Sequence, residues 1–207
     1  MEDVLEVYKR PYDPQRPVVC LDETSRQLLA DTRTPLPCAP GQAARADHEY
    51  ERGGTANLFL AFEPLAGHRH TQATAQRTKV DWAQFMKGLL DGPYASAAQV
   101  VLVQDNLNTH VPSSFYEAFA PAEARRLVER IEWHYTPKHG SWLNLAEVEF
   151  SALERQVSGR IGSREQFDRI TQAWTEKRNQ AGIRADWRFT TTDARIKLKR
   201  LYPCIQV

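Results

Sequence analysis

The acidic residues best placed to do chemistry in this chain are Asp22, Asp105 and one of the pair Glu147 and Glu149. In-line cleavage or transfer of a phosphodiester needs an activated nucleophilic oxygen, a stabilised leaving oxygen and neutralised phosphate charge. Two divalent cations roughly 3.5 to 4 Å apart can supply all three. Mg²⁺ takes oxygen ligands and keeps several waters, so two or three carboxylates make a sufficient site.

The elements that must position these acids follow from the apolar pattern. The run VVCL at 18–21 is a short strand buried on both faces, and it ends in Asp22; VVLV at 100–103 is a second, followed one residue later by Asp105. Open α/β sheets bind ligands at the carboxyl ends of their strands, so neighbouring strands would set the two acids side by side. Like charges held that close resist ionisation unless a cation is present, which implies a metal. The plainer reading is that each Asp caps a turn after its strand. Glu23 adjoins Asp22, but successive strand side chains point to opposite faces, so Asp22 is the one expected in the site.

The third acid comes from a helix. Leu143, Ala146, Phe150, Leu153 and Val157 recur at helical spacing, with Glu147 and Glu149 flanking the stripe at similar angles. Geometry does not choose between them, and an exposed Glu on a helix is ordinarily just solvated. Asn106, Asn108 and His110 follow the second Asp, where they would orient a metal-bound water or a phosphate, or simply cap the loop. His134, Lys138 and His139 precede the third acid, where a cation would meet a phosphate backbone. Trp142 beside them either stacks on a base or covers the core.

Between these landmarks, residues 1–17 are polar with Pro11, Pro14 and Pro17 and predict an extended lead-in, with the working domain spanning 18–207. Residues 31–56 carry four Pro or Gly pairs and singles, including Pro35, Pro37, Pro40, Gly41, Gly53 and Gly54, and predict a loop with at most a short hairpin. Strands are expected over 57–62 and 68–74 around a turn at 64–67, and a helix over 80–90 stopped by Gly92 and Pro93. Helices over 113–119 and 121–130, a strand over 131–135, a loop over 136–141 and helices over 164–181 and 193–201 complete the chain. The order describes an α/β domain with a mixed β-sheet flanked by helices, compatible with a ribonuclease-H-like fold.

At 207 residues, 42% hydrophobic and 26% charged, the chain suits one globular domain. Lys and Arg (27) nearly balance Asp and Glu (26), so charge alone does not announce a nucleic-acid binder. The end of the chain is locally basic, with Arg184, Arg188, Arg195, Lys197, Lys199 and Arg200, which is either a solvated face or a phosphate contact. Cys20, Cys38 and Cys204 show no disulfide or zinc spacing and read as reduced thiols. No apolar stretch reaches eighteen residues and no signal peptide opens the chain, so a cytoplasmic protein with no membrane partner is expected.

The segments VVCLDET (18–24), LVQDNLNTH (102–110) and HYTPKHGSWLNLAEVE (134–149) closely resemble the insertion-sequence transposases related to the Tc/mariner superfamily. The likeness extends through RTPLPCAPGQ (33–42), GTANLFLAFEPLAG (54–67) and WRFTTTDARIKLKRLYP (187–203), and so covers nearly the whole chain. It implies a DDE catalytic domain of ribonuclease-H-like fold whose acids are Asp22, Asp105 and Glu147, the last placed three after Asn144, with Glu149 left as a solvated neighbour. It further implies two Mg²⁺ or Mn²⁺ ions, cleavage at transposon ends followed by strand transfer, double-stranded DNA as end and target, and a homodimer on DNA at the nucleoid.

Relatives of that kind carry helix-turn-helix modules ahead of the catalytic domain, whereas about seventeen residues precede the first strand here. Recognition of the end sequence is therefore expected to be missing, as in a fragment, a separately encoded catalytic half or a decayed copy. Two rivals stand beside the transposase: a catalytically silent or truncated module that binds DNA or a transposase partner, and a nuclease of RNA/DNA hybrids.

Overall fold

The computed structural model describes residues 1–202 other than 35, 44 and 46. Pro35 and Cys204 of the sequence reading lie outside the described residues. The run at 18–21 opens strand β1 (Val18–Asp31), which does not stop at Asp22. It continues because β2 (Tyr50–Glu63) pairs antiparallel along it, from Cys20 opposite Phe62 to Asp31 opposite Tyr50, across one irregularity between Gln27 and Leu29.

Much of the stretch expected as loop is therefore strand. Glycine is required at position 53 of β2, since a Cβ there would stand 2.7 Å from the carbonyl oxygen of Gly162. What remains between the strands carries the short hairpin, with bridges Leu36 to Arg45 and Ala39 to Gln42.

After the turn, β3 (His68–Thr74) pairs back on β2, and α2 (Lys79–Asp91) starts at a reciprocal Thr78–Asp81 capping box. The second apolar run becomes β4 (Val100–Gln104), parallel to β1. Helices α3 (Ser113–Ala118) and α4 (Pro121–Glu129) lead to β5 (Ile131–Tyr135), parallel to β4. Helices α5 (Leu145–Gln156), α6 (Arg164–Gln180) and α7 (Thr191–Lys197) follow. The sheet order is β3-β2-β1-β4-β5, which is the mixed sheet anticipated.

Alternation along the strands divides the core in two. Val19, Leu21, Phe59, Ala61, Val100 and Leu102 meet Trp82, Met86, Phe115 and Leu127 of α2, α3 and α4. Cys20, Leu58, Leu60, Phe62, Val101 and Val103 meet Ala146, Phe150, Phe167 and Trp174 of α5 and α6 on the other face.

That second layer also receives an unexpected element. Residues 2–8 form helix α1 (Glu2–Tyr8), and Val4, Leu5 and Val7 are buried. The expectation of an extended lead-in over 1–17 fails there because the prolines begin only at Pro11, leaving about two amphipathic turns free to pack. Tyr8 fixes it in place, its hydroxyl donating to the carbonyl of Leu143 at 2.7 Å. Among the described residues no helix is long and apolar enough to cross a membrane.

Candidate metal centre

In the parallel pair, Val18, Val19 and Cys20 stand opposite Val101, Leu102 and Val103. Asp22 lies two residues past Cys20 and Asp105 two residues past Val103, so both fall at the same end of this parallel pair. Alternation turns Asp22 toward the face of Cys20. β4 has ended at Gln104, so Asp105 stands where its chain leaves the sheet, while Asp22 lies inside a strand held on its other side by β2.

Helix α5 brings the third acid to the same face. Asn144 caps it, its Oδ1 accepting from the Ala146 N–H at 3.1 Å. Its Nδ2 donates to the Leu21 carbonyl at 2.8 Å and to Asp22 Oδ2 at 3.2 Å. Asp22 Oδ1 accepts from the Glu23 N–H at 2.8 Å. Burial, with the nearby charges of Glu147, Asp105 and Glu23, pushes the Asp22 carboxyl up to about 7, against a single favourable backbone hydrogen bond. The Glu147 carboxyl is raised too, by burial and then by Asp105 and Glu154. Asp22 thus feels the charges of Glu147 and Asp105, and Glu147 that of Asp105.

Glu149 is not the solvated neighbour expected. It is 3% exposed and locked by two guanidinium groups: Arg69 donates to both its oxygens at 2.5 and 2.9 Å, and Arg178 to both at 2.9 Å. Arg69 also donates to the carbonyls of Gly67 and Ile183 and lies 4.3 Å from the Phe62 ring centroid. The sequence reading erred because a stripe drawn from apolar residues alone does not foresee a buried ion pair. Structurally, α5 is bolted to β3 and α6 through Glu149, and Glu147 is left toward the aspartates.

His110 is fully buried, its Nδ1 2.5 Å from Asp105 Oδ1. Its Nε2 lies 2.9 Å from Glu23 Oε2, within charge-contact range though not aligned for a hydrogen bond. Burial opposes the imidazolium, yet the hydrogen bond to Asp105 and the charges of Glu23 and Asp105 outweigh it and raise His110 to about 9. Glu23, set aside in the sequence reading for facing away from Asp22, does face away and thereby becomes the second carboxylate on His110.

Asp105, Asn106, Lys138, His139 and Ser141 line one open groove of about 490 Å³. His139 is held at a φ of 64°, a left-handed conformation uncommon for residues other than glycine. Gly140 is required beside it, since a Cβ there would meet Pro137 at 2.6 Å. Asn108 is exposed and lies outside that lining.

His134 does not join the acids. Its two ring nitrogens bond Asp3 at 2.8 Å and Glu132 at 2.9 Å, because its place in β5 turns it toward α1. Trp142 is 43% exposed, its ring stacked 6.2 Å from Trp187 and edge-on at 6.0 Å to Phe189. In the basic tail, Arg195 is tied to Glu2, and Lys197 lies over the Phe189 ring.

The donor set suits a hard divalent cation. Asp22 and Glu147 are carboxylates whose own surroundings disfavour their ionised form, which a cation would reverse. Among the described residues no three His, Cys, Asp or Glu side chains converge closely enough to hold an ion by themselves. The arrangement is that of an open site, in which water and substrate oxygens would complete the coordination.

The mixed sheet flanked by helices is the ribonuclease-H-like fold. The family model for the DDE superfamily endonucleases matches residues 17–168, and the chain belongs to that family. Two solved structures share the fold. The Mos1 transposase paired-end complex with left transposon end is 20% identical with a TM-score of 0.50, over 88% of this chain and 56% of that one. The pre-cleavage Mos1 transpososome is 17% identical with a TM-score of 0.51, over 87% of this chain and 55% of that one. The chain therefore spans about half the length of the solved chains it matches. No curated protein matches it.

Proposed function

We propose that this chain is the catalytic part of a DNA transposase, cutting phosphodiester bonds at transposon ends and joining the freed 3′-hydroxyl to target DNA. Asp22, Asp105 and Glu147 are its metal ligands. The observation that carries this reading is the parallel pairing of β1 with β4, which brings Asp22 of β1 and Asp105, just past the end of β4, to the same end of the sheet in a chain of the DDE superfamily endonucleases. When bound, two Mg²⁺ or Mn²⁺ ions would activate the attacking oxygen and neutralise charge on the phosphate.

The chain's own residues supply the rest. His110 orients Asp105, and the capped start of α5 sets Glu147 against Asp22. Lys138 and His139, on the groove beside Asp105, meet the phosphate backbone of the strand to be cut. The substrate is double-stranded DNA, as end and as target, which assigns the protein to the nucleoid. Two copies act together on paired ends, and the catalytic unit takes in α1 as well as residues 18–207.

The test is a joining assay with Mn²⁺ on a labelled, pre-cleaved transposon-end duplex and a supercoiled plasmid. Joined product from the wild type and none from Asp105→Asn is the expected result. Two folded proteins that neither nick nor join would favour a silent binding module, and end-independent degradation of an RNA/DNA hybrid would favour a hybrid nuclease.

A further inference from the structure

We infer that Asn144 is the positioning residue of this metal centre, a side chain that couples the strand carrying the first acid to the start of the helix carrying the third. The inference rests on the metal-site reading above. Asn144 is 1% exposed, and three hydrogen bonds employ its amide: Oδ1 receives the Ala146 N–H, and Nδ2 donates to both the Leu21 carbonyl and Asp22 Oδ2. With the Glu23 N–H on Oδ1, each oxygen of Asp22 has one fixed donor. The carboxylate plane is thereby set before any cation arrives, with its remaining lone pairs free.

The chemistry of the position admits few substitutes. A Lys or Arg would bring a permanent positive charge and compete with the cation for Asp22. An Asp would keep the cap but lose both donors and add a carboxylate to a cluster already repelling itself. Gln, longer by a methylene, does not hold its amide against the first turn of its own helix, which is why capping favours the short side chains. A neutral, short amide meets every demand at once. It also ties Glu147 to Asp22, because Glu147 sits in the turn that Asn144 starts, its N–H bonded to the Asn144 carbonyl at 3.1 Å.

Mn²⁺ binding to the full chain, titrated by electron paramagnetic resonance, tests this in wild type, Asp22→Asn, Asn144→Ser and Asn144→Asp. Serine caps as well as asparagine but reaches neither Leu21 nor Asp22. Asn144→Ser should fold, with a lowered melting temperature from the unmade bonds, and its folded form should bind Mn²⁺ about 10-fold or more weakly. Asn144→Asp, which keeps the cap and the side-chain size, should alter the Mn²⁺ spectrum and lower strand cleavage about 10-fold or more.

A purely structural role predicts lowered melting with wild-type Mn²⁺ affinity in Asn144→Ser and a wild-type spectrum in Asn144→Asp, and that result overturns the inference. Equal binding by wild type and Asp22→Asn is a separate failure: it removes the metal-site reading, and the positioning role with it.

Discussion

His110 Nδ1 lies 2.5 Å from Asp105 Oδ1, with the far side of the same ring 2.9 Å from Glu23 Oε2. One buried imidazole therefore spans the end of β4, holding a carboxylate that faces the groove by means of one that does not. Such a partner orients the acid it touches, and its loss costs metal sites about 10- to 100-fold in affinity or activity. His110→Ala should lose activity on that scale in the Mn²⁺ joining assay at equal folded fraction. Undiminished joining would show that Asp105 needs no such support.

Arg69, Glu149 and Arg178 form a buried ion cluster whose worth lies in its completeness. Removing Glu149 strands the guanidinium groups of Arg69 and Arg178, at a cost of about 3 to 5 kcal/mol. Glu149→Leu should lower the urea unfolding free energy by that order, and far more than Glu129→Leu, whose partner Arg125 is exposed at the surface. Equal effects from the two substitutions would contradict a structural role for the cluster.

The raised Asp22 carboxyl makes stability depend on pH. Its folded value of about 7 stands above the ordinary 3.8, so in that window the folded chain holds a proton that the unfolded chain has released. Stability contributed by this group is complete at low pH and is lost as pH rises from about 4 to about 7. His110, raised to about 9, extends the same trend to higher pH. In chelator, the thermal midpoint should fall across the lower window, and Asp22→Asn should flatten that fall. Added Mn²⁺ should raise the midpoint chiefly near neutral pH. A wild-type profile unchanged by Asp22→Asn would refute the assignment.

Helix α1 supplies Leu5 to the core with no exposed surface. Leu5→Ala should therefore cost about 2 to 5 kcal/mol in a denaturant titration, as buried leucines do. An extended lead-in predicts no change at all.

Most of the sheet was legible in the sequence because β1, the inner half of β2 and β4 announce themselves through apolar runs and β3 through its turn. The two aspartates were legible for the same reason, since each sits just past such a run. What escaped were relations set by partners distant in sequence. Asp22 looked like the end of a strand, but β2 keeps β1 going to Asp31, and only the tertiary pairing shows it. Glu149 looked solvated because its two arginines lie 80 and 29 residues away. Asn144 served only as a landmark for Glu147, although a short polar residue just ahead of a helical stripe is a recognisable cap signal. His134 drew notice by its nearness in sequence to the third acid, yet its strand turns it toward α1.

The unequal lengths of β1 and β4 have a consequence for solubility. Where β4 ends, the outer half of β1 would present a row of unpaired amides and carbonyls, a template on which another chain can add a strand. The segment after α5 shields that edge: the Leu29 N–H donates to the Ile161 carbonyl at 2.8 Å, and Arg26 reaches the carbonyls of Val157 and Gly159. The helix that delivers Glu147 is thus continuous with the guard on a sticky edge. Loosening it would release an aggregation-prone strand as well as silence a site, so chains damaged there should leave the soluble pool instead of persisting as inert competitors.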